Sequence, residues 1–484
     1  MLRSWLPSRL ARSGASRAPT PPIQLAALVA LVLLTACLQV GLARLEGGTA
    51  APGTRTLSGD EKRYVEVATA WAAGEPAELD PLWPPGYPAI VALILRCGGS
   101  LSWVMGLQIL ALLVAAVALG RIALATGASD QVAAFAAALL VLDPEVAAFA
   151  RLYRPEALHL ALLLVALLLA IRSTGTQEGG ADPRRLVLLG TVLGVAVALK
   201  SLLLPLVPLL ILAVMLAPGA PSTSPALALS RVPRWRLRLA RGLFVALPIV
   251  AVLAPVAVWQ HAKSGSWSAG GSARFNLWVG LTDRSPRSLA EDRTWEEYLR
   301  YRASGATFAE RQRALGDRLR DLVGERGLPA LVLGQWPRQY FRLFDRESYF
   351  TAALPPRGSR FLAGEGYRAA PDWLARLLGA GEVGLYCALL ITAPFGLVRL
   401  VRTRRPGAGW ISALLAYQLA LFWFVHVKSR YRLTLLPLLM LGTLWTIESW
   451  RRRGRAGEAP VSFADLALGG AGAALLLYFA FAAV

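Results

Sequence analysis

Residues 101–122 read LSWVMGLQILALLVAAVALGRI, an apolar run with only isolated polar positions. A helix needs roughly 20 predominantly apolar residues to cross a hydrocarbon core about 30 Å thick. This run meets that length. Working outward, further apolar runs lie near 23–42, 131–148, 156–171, 186–199, 202–217, 242–259, 381–398, 410–426, 432–448 and 463–483, with a shorter one at 87–97. The expected fold is an all-α integral membrane bundle of about eleven transmembrane helices with extracytoplasmic loops and helices.

Composition agrees. Of 484 residues, 55% are hydrophobic and only 17% charged, and the mean hydropathy is +0.49, too little charge to cover a soluble protein of this size. The net charge of +21 would direct attention to nucleic acid in a soluble chain. Here the arginines sit in short loops between apolar spans, so they read as an orientation signal and as contacts to anionic headgroups. A nucleic-acid partner is not expected. With the N-terminus inside, the strongly basic stretches 172–185, 218–241, 399–409 and 451–460 all fall on the cytoplasmic side. Heavy use of Arg and Ala points to a bacterial source, hence a bacterial cytoplasmic membrane. The division expected is a basic cytoplasmic N-terminus (1–22), an N-terminal transmembrane catalytic module (23–259) with an outer loop (43–100), an extracytoplasmic segment (260–380) and C-terminal helices (381–484).

Three scattered cysteines, Cys37, Cys97 and Cys387, make neither a disulfide framework nor a zinc site. Leu34-Thr35-Ala36-Cys37 resembles a bacterial lipobox, while a helix continuing to Leu42 is the simpler reading. No metal motif appears; no cofactor is expected, and a divalent metal is not indicated.

This topology places 43–100, 143–155, 260–380 and the 426–432 turn on the outer face. In the first, Asp60 and Glu61 open a helical stretch in which Tyr64, Val67, Ala68 and Trp71 share a face. Acidic residues there also suit plain helix capping. Trp83-Pro84-Pro85-Gly86-Tyr87-Pro88 is a rigid turn. The second outer loop packs Asp143, Glu145, Arg151, Arg154 and Glu156 between two spans. Mixed carboxylates and arginines facing one cavity suit a substrate with a phosphate and hydroxyls, and paired structural groups are the alternative. Lys200, at the tip of a tight hairpin, and Lys428-Ser429-Arg430-Tyr431-Arg432 lie at headgroup depth, where cations either clamp a phosphate or anchor the interface. Residues 291–326 read as polar, partly amphipathic helix.

In order and spacing these segments resemble one family. Its elements here are the acidic pair Asp60-Glu61 followed by Tyr64, a Gly and the PPGYP turn with Tyr87. A Pro–acidic–Tyr–Glu loop ends at Glu156. Phe275-Asn276-Leu277-Trp278-Val279-Gly280 is similar to an Asn–Gly element, and Ser429-Arg430-Tyr431-Arg432-Leu433 with Leu436-Pro437 to a late RY…P element. The family is that of the polyprenyl-phosphate-sugar-dependent glycosyltransferases of GT-C fold, which includes protein O-mannosyltransferase-like enzymes and lipid A aminoarabinose transferases. The resemblance covers almost the whole chain. It implies transfer of a sugar from a polyprenyl monophosphate to a hydroxyl of a glycan, lipid or protein acceptor on the outer face. It implies Asp60 as the catalytic carboxylate, with Glu61 beside it and Glu156 at the second-loop acidic position. Lys200, Arg154, Arg430 and Arg432 are the candidate cations for the donor phosphate, and Asp143, Tyr64, Tyr87, Asn276 and Tyr431 are further site candidates. The rival is a non-catalytic transporter or lipid-linked-sugar flippase. Broken helices with midplane charges would favour the rival, but the ionisable residues here cluster at one face.

Overall fold

The computed structural model describes residues 21–46, 57, 59–174, 182–217, 233–265, 267, 270–283, 294–355, 366–453 and 460–482. The basic segment 1–20, all of 218–232 with Arg231, and Arg455 lie outside the described residues. Every regular element among the described residues is helical. In order these are α1 (Pro21–Leu45), α2 (Gly59–Ala73), α3 (Gly86–Arg96), α4 (Leu101–Ala125), α5 (Asp130–Leu142), α6 (Pro144–Phe149), α7 (Glu156–Thr174), α8 (Pro183–Leu199) and α9 (Leu206–Leu216). There follow α10 (Arg234–Ser264), α11 (Ala273–Thr282), α12 (Thr294–Ala303), α13 (Phe308–Arg326), α14 (Leu328–Leu343), α15 (Tyr349–Ala352), α16 (Asp372–Arg402), α17 (Ala408–Phe424), α18 (Leu436–Arg451) and α19 (Phe463–Phe481). Two 3₁₀ turns, Ser201–Leu203 and Ser429–Thr434, interrupt them.

Among the described residues six helices are long and apolar enough to cross a membrane, within α1, α4, α7, α10, α16 and α19, and α3, α5, α9 and α17 are shorter apolar helices. Helix α4 shows how such a helix divides its surface. Leu110, Val114 and Val117, spaced along one face, are exposed, while Ala111, Leu112, Ala115, Ala116 and Leu119 are buried against neighbouring helices. An exposed apolar stripe is a liability in water and the normal outer surface in lipid.

The run 131–148 is not one helix. Asp143 stops α5 and caps α6, its Oδ1 accepting the Val146 N–H at 2.9 Å, with Pro144 at the first helical position. Asp before Pro is a helix-start signature, and here it overrides the apolar run. Helix α1, in contrast, passes through Cys37 without a break. Helices α8 and α9 meet at Lys200 as a tight pair, but both pack chiefly on α10.

Close helix approaches rest on glycine. A Cβ at Gly396 of α16 would lie 1.7 Å from the Gly442 carbonyl of α18, and one at Gly190 of α8 would lie 2.2 Å from the Val245 carbonyl of α10. Small residues at such crossings let backbones touch where lipid gives no hydrophobic drive for association.

The connecting loops segregate. Arg452 donates to the Gly127 carbonyl at 2.9 Å, Arg451 to Gln131 at 2.6 Å, and Arg402 pairs with Asp465 at 2.9 Å. The basic turns therefore gather at one end. The loops carrying Asp60, Glu156, Lys200, Asn276 and Arg430 gather round a cavity elsewhere. The segment after α10 folds back over this end. Buried Asp80 holds it there, accepting from Arg302 at 3.0 Å, Tyr298 at 3.2 Å and the Leu82 N–H at 3.0 Å.

Candidate active site

The cavity has a volume of about 820 Å³ and takes its walls from segments spread along the chain from Gly59 to Tyr431. Helix α2 begins at Gly59, whose φ of +53° is a left-handed conformation that glycine adopts without a Cβ clash. That start puts Asp60 in the first turn, facing the cavity, where the helix N-terminus also favours a negative charge. Arg430 comes from the 3₁₀ turn Ser429–Thr434, and its Nη1 donates to Asp60 Oδ2 at 2.6 Å. Glu156, the first residue of α7, lies 3.9 Å from Arg430 Nε and accepts from Lys200 Nζ at 3.4 Å. Lys200 also stands 4.8 Å over the Tyr431 ring. The position of Lys200 depends on the rigid turn before α3. A Cβ at Gly86 would lie 2.4 Å from the Ala198 carbonyl, so only glycine lets that turn press on the end of α8.

Arg154 lies beside this cluster. It is 3% exposed, its Nε has no hydrogen-bond partner, and among the described residues no carboxylate stands within salt-bridge distance. A buried guanidinium without an anion is costly unless something else supplies the charge. With Lys428, four cations surround two carboxylates. Burial pushes the Asp60 carboxyl upward, but the charges of Arg430 and Arg154 and the Arg430 hydrogen bond overcome it and hold the group well below the usual carboxylate range. Asp60 is ionised at neutral pH.

The structure thus brings Asp60, Tyr64, Arg154, Glu156, Lys200, Asn276, Arg430 and Tyr431 to one cavity. Four further candidates stand off it. Glu61 is fully buried and accepts the Tyr153 N–H at 2.7 Å, which fixes the second outer loop. Tyr87 donates to Gln108 Oε1 at 2.7 Å inside the bundle. Asp143 caps α6. Arg432 is buried against Glu145 at 2.7 Å and Glu382 at 3.7 Å.

Several lining residues escaped sequence reasoning. Thr294 Oγ1 meets His426 Nε2 at 3.0 Å, His426 Nδ1 meets Arg342 Nη1 at 3.1 Å, and Arg342 pairs with Asp283 at 2.7 Å. Arg342 is the donor at that contact, so Nδ1 accepts and the ring proton sits on Nε2. Partners 84 positions apart leave no spacing pattern to find. Trp83, Trp295 and Tyr298 form the aromatic wall of the same cavity. Among the described residues no group of three or more His, Cys, Asp or Glu side chains is arranged to hold a metal ion.

Fold and site together define a class: a multi-helix membrane protein with a cationic, carboxylate-bearing cavity formed by the loops at one end of the bundle. No protein-family model and no curated protein matches the chain. Among solved structures it is similar to the archaeal oligosaccharyltransferase AglB from Archaeoglobus fulgidus in complex with an inhibitory peptide and a dolichol-phosphate. That match has 13% identity and a TM-score of 0.49, and covers 95% of this chain and 54% of that one. It is also similar to the Archaeoglobus fulgidus oligosaccharyltransferase in complex with Zn and sulfate, at 13% identity and a TM-score of 0.48, covering 94% of this chain and 51% of that one. The chain spans about half the length of these structures.

Proposed function

We propose that the protein is a membrane glycosyltransferase. It moves a sugar from a polyprenyl monophosphate to an acceptor hydroxyl at the extracytoplasmic face of a bacterial cytoplasmic membrane, with its N-terminus in the cytoplasm. The observation that carries this reading is the buried Arg154, which has no carboxylate in contact among the described residues and stands next to the Asp60–Arg430 pair. Cations in excess at the mouth of apolar helices suit a lipid-linked phosphate better than a neutral solute. The apolar wall formed by Leu202, Leu204, Leu421 and Phe422 suits the first units of its tail.

The chemistry follows from the charges. The acceptor oxygen attacks the anomeric carbon as the bond from that carbon to the phosphate oxygen breaks. The electron pair leaves with the phosphate, whose growing charge Arg154, Lys200 and Arg430 stabilise. The hydroxyl proton passes to the Asp60 carboxylate. One displacement inverts the anomeric centre. An incoming phosphate also competes for Arg430, so Asp60 loses its strongest cation and becomes a better base when the donor is bound. Glu156 holds Lys200 and Arg430 in place.

The test is transfer by the purified full-length protein in lipid nanodiscs, using a panel of radiolabelled polyprenyl-phosphate sugars and a cell-envelope extract as acceptor. At least one donor is expected to give labelled product and free polyprenyl phosphate. Movement of intact donor between leaflets with no cleavage of any donor would overturn the reading in favour of a flippase.

A further inference from the structure

On the wall beside the charged cluster three rings form a row. Tyr298 lies between two indoles, with Trp83 edge-on at 5.3 Å and Trp295 tilted by 34° at 5.3 Å. All three line the cavity. Trp83 comes from the first outer loop and the other two from α12, so the row joins two distant segments. The segments that carry it are anchored. The Tyr298 hydroxyl donates to Asp80, the backbone N–H of Trp83 donates to the Asp80 backbone carbonyl at 2.9 Å, and Trp278 Nε1 donates to Glu297 of α12 at 2.9 Å. Yet the outermost ring, Trp295, is 62% exposed. A large apolar ring set on an anchored helix and left open at the mouth of a polar cavity marks a binding site.

We propose, resting on the glycosyl-transfer reading above, that this row is the acceptor subsite and that it takes a pyranose ring, so the acceptor is a carbohydrate rather than a protein side chain. A pyranose presents a face of C–H groups and a rim of hydroxyls. The C–H face matches an aromatic face in shape and in the sign of its partial charges. The rim needs donors and acceptors, and Thr294, Asn276, Lys62 and Glu66 line the cavity around the rings. An extended peptide would call for backbone pairing groups, whereas this wall offers ring faces. Two neighbours argue against Trp295 as a bilayer anchor. The adjacent Glu296 and the Arg300 one turn on are both more than 60% exposed, which places this part of α12 in water. The volume of 820 Å³ lies toward the upper end of the roughly 300–1,000 Å³ usual for one small ligand, leaving room for an acceptor ring beside a donor sugar.

The test needs no donor. Saturation-transfer NMR on the full-length protein in nanodiscs would use methyl pyranosides of glucose, mannose and galactose as probes, with a threonine-containing peptide beside them. At least one pyranoside is expected to receive saturation, strongest on its ring C–H protons. Trp295→Ala, a surface change that leaves the Tyr298–Asp80 anchor intact, is expected to weaken that binding about five- to tenfold, with Trp295→Phe restoring most of it. No saturation of any pyranoside, saturation of the peptide alone, or an unchanged signal in Trp295→Ala would each overturn the proposal, the last leaving Trp295 as an interface anchor. The two readings fail separately: transfer onto peptide without pyranoside binding sinks this one, and pyranoside binding without donor cleavage sinks glycosyl transfer.

Discussion

Arg430 and Arg432 leave the same 3₁₀ turn two residues apart, and each meets two carboxylates. Arg430 meets Asp60 at 2.6 Å and Glu156 at 3.9 Å, with its side chain 15% exposed in the cavity. Arg432 meets Glu145 at 2.7 Å and Glu382 at 3.7 Å, with 2% exposure and its guanidinium 4.3 Å over the Tyr386 ring. A turn of about three residues sends positions two apart in different directions. The pairing chemistry is nearly the same on both sides, and access alone separates them. Arg430 can exchange its carboxylate for an incoming anion, whereas Arg432 ties α6 to α16 and has no room for a ligand. Ion-pair geometry by itself therefore does not mark a functional arginine.

The sharpest way to break this contrast is at Asp60. Asp60→Asn keeps the size and most of the capping ability of the residue and removes the base. Transfer is expected to fall by about 10²–10⁴-fold while the protein stays folded and still binds donor. A folded Asp60→Asn protein with near-normal turnover would move the base to Glu156, the other carboxylate of the charged cluster.

Arg430→Gln comes next. Loss of one charge-assisted contact to phosphate is expected to raise the donor KM by about 10- to 100-fold. It also carries a pH signature. Because Asp60 is held low, kcat/KM of the wild type should show no acid limb from this group until the pH falls below the ordinary carboxylate range, about 4. Without Arg430, burial dominates and the acid limb should move to higher pH. An unmoved limb would separate Asp60 from the titration that controls turnover.

At Arg432 the expectation is reversed. Arg432→Leu leaves Glu145 buried without its cation, and removing one partner of a buried pair costs about 3–5 kcal/mol of stability. Thermal unfolding should shift strongly downward. The donor KM of the molecules that remain folded should stay near the wild-type value. A raised donor KM in folded Arg432→Leu would place this arginine within reach of the phosphate after all.

The contrast also shows what a sequence holds. The apolar run of α4 was legible because bilayer thickness sets a length that few other constraints imitate. The charged loops were legible as a set, and Asp60, Arg154, Glu156, Lys200 and Arg430 do share one cavity. Which arginine of Arg430-Tyr431-Arg432 faces it was not legible, since that depends on a 3₁₀ turn rather than an α-helical one. Glu61 shows the same limit: one residue from Asp60 on α2 is about 100° round the helix, which turns it to the Tyr153 N–H. The amphipathic stretch after residue 290 was visible as helix. That it folds over the cavity depends on Arg302 reaching Asp80 across 222 positions, which no local pattern encodes.

The smallest effect on transfer is expected beside the structural arginine, at Asp143, and there it is the sign of the stability change that informs. Burial pushes the Asp143 carboxyl up to about 7; the Val146 N–H bond pulls it down and the charge of Glu145 raises it further. In the unfolded chain the group titrates near 4. Between these values the folded state binds more protons than the unfolded state, so stability falls as pH rises from about 4 to about 7. Above that window the cost of a buried charge is fully present. Asp143→Asn keeps an oxygen for the Val146 N–H and carries no charge. Its transfer activity is expected to match the wild type, because Asp143 lies off the cavity. Its unfolding temperature should be close to wild type near pH 4 and higher at pH 8, with the difference growing through the window. Thermal unfolding of both proteins across this range checks it. A variant less stable than the wild type at pH 8 would mean that the Asp143 charge is needed by the Arg432 cluster, and the buried side of the comparison would then hold one more working ion than its distances indicate.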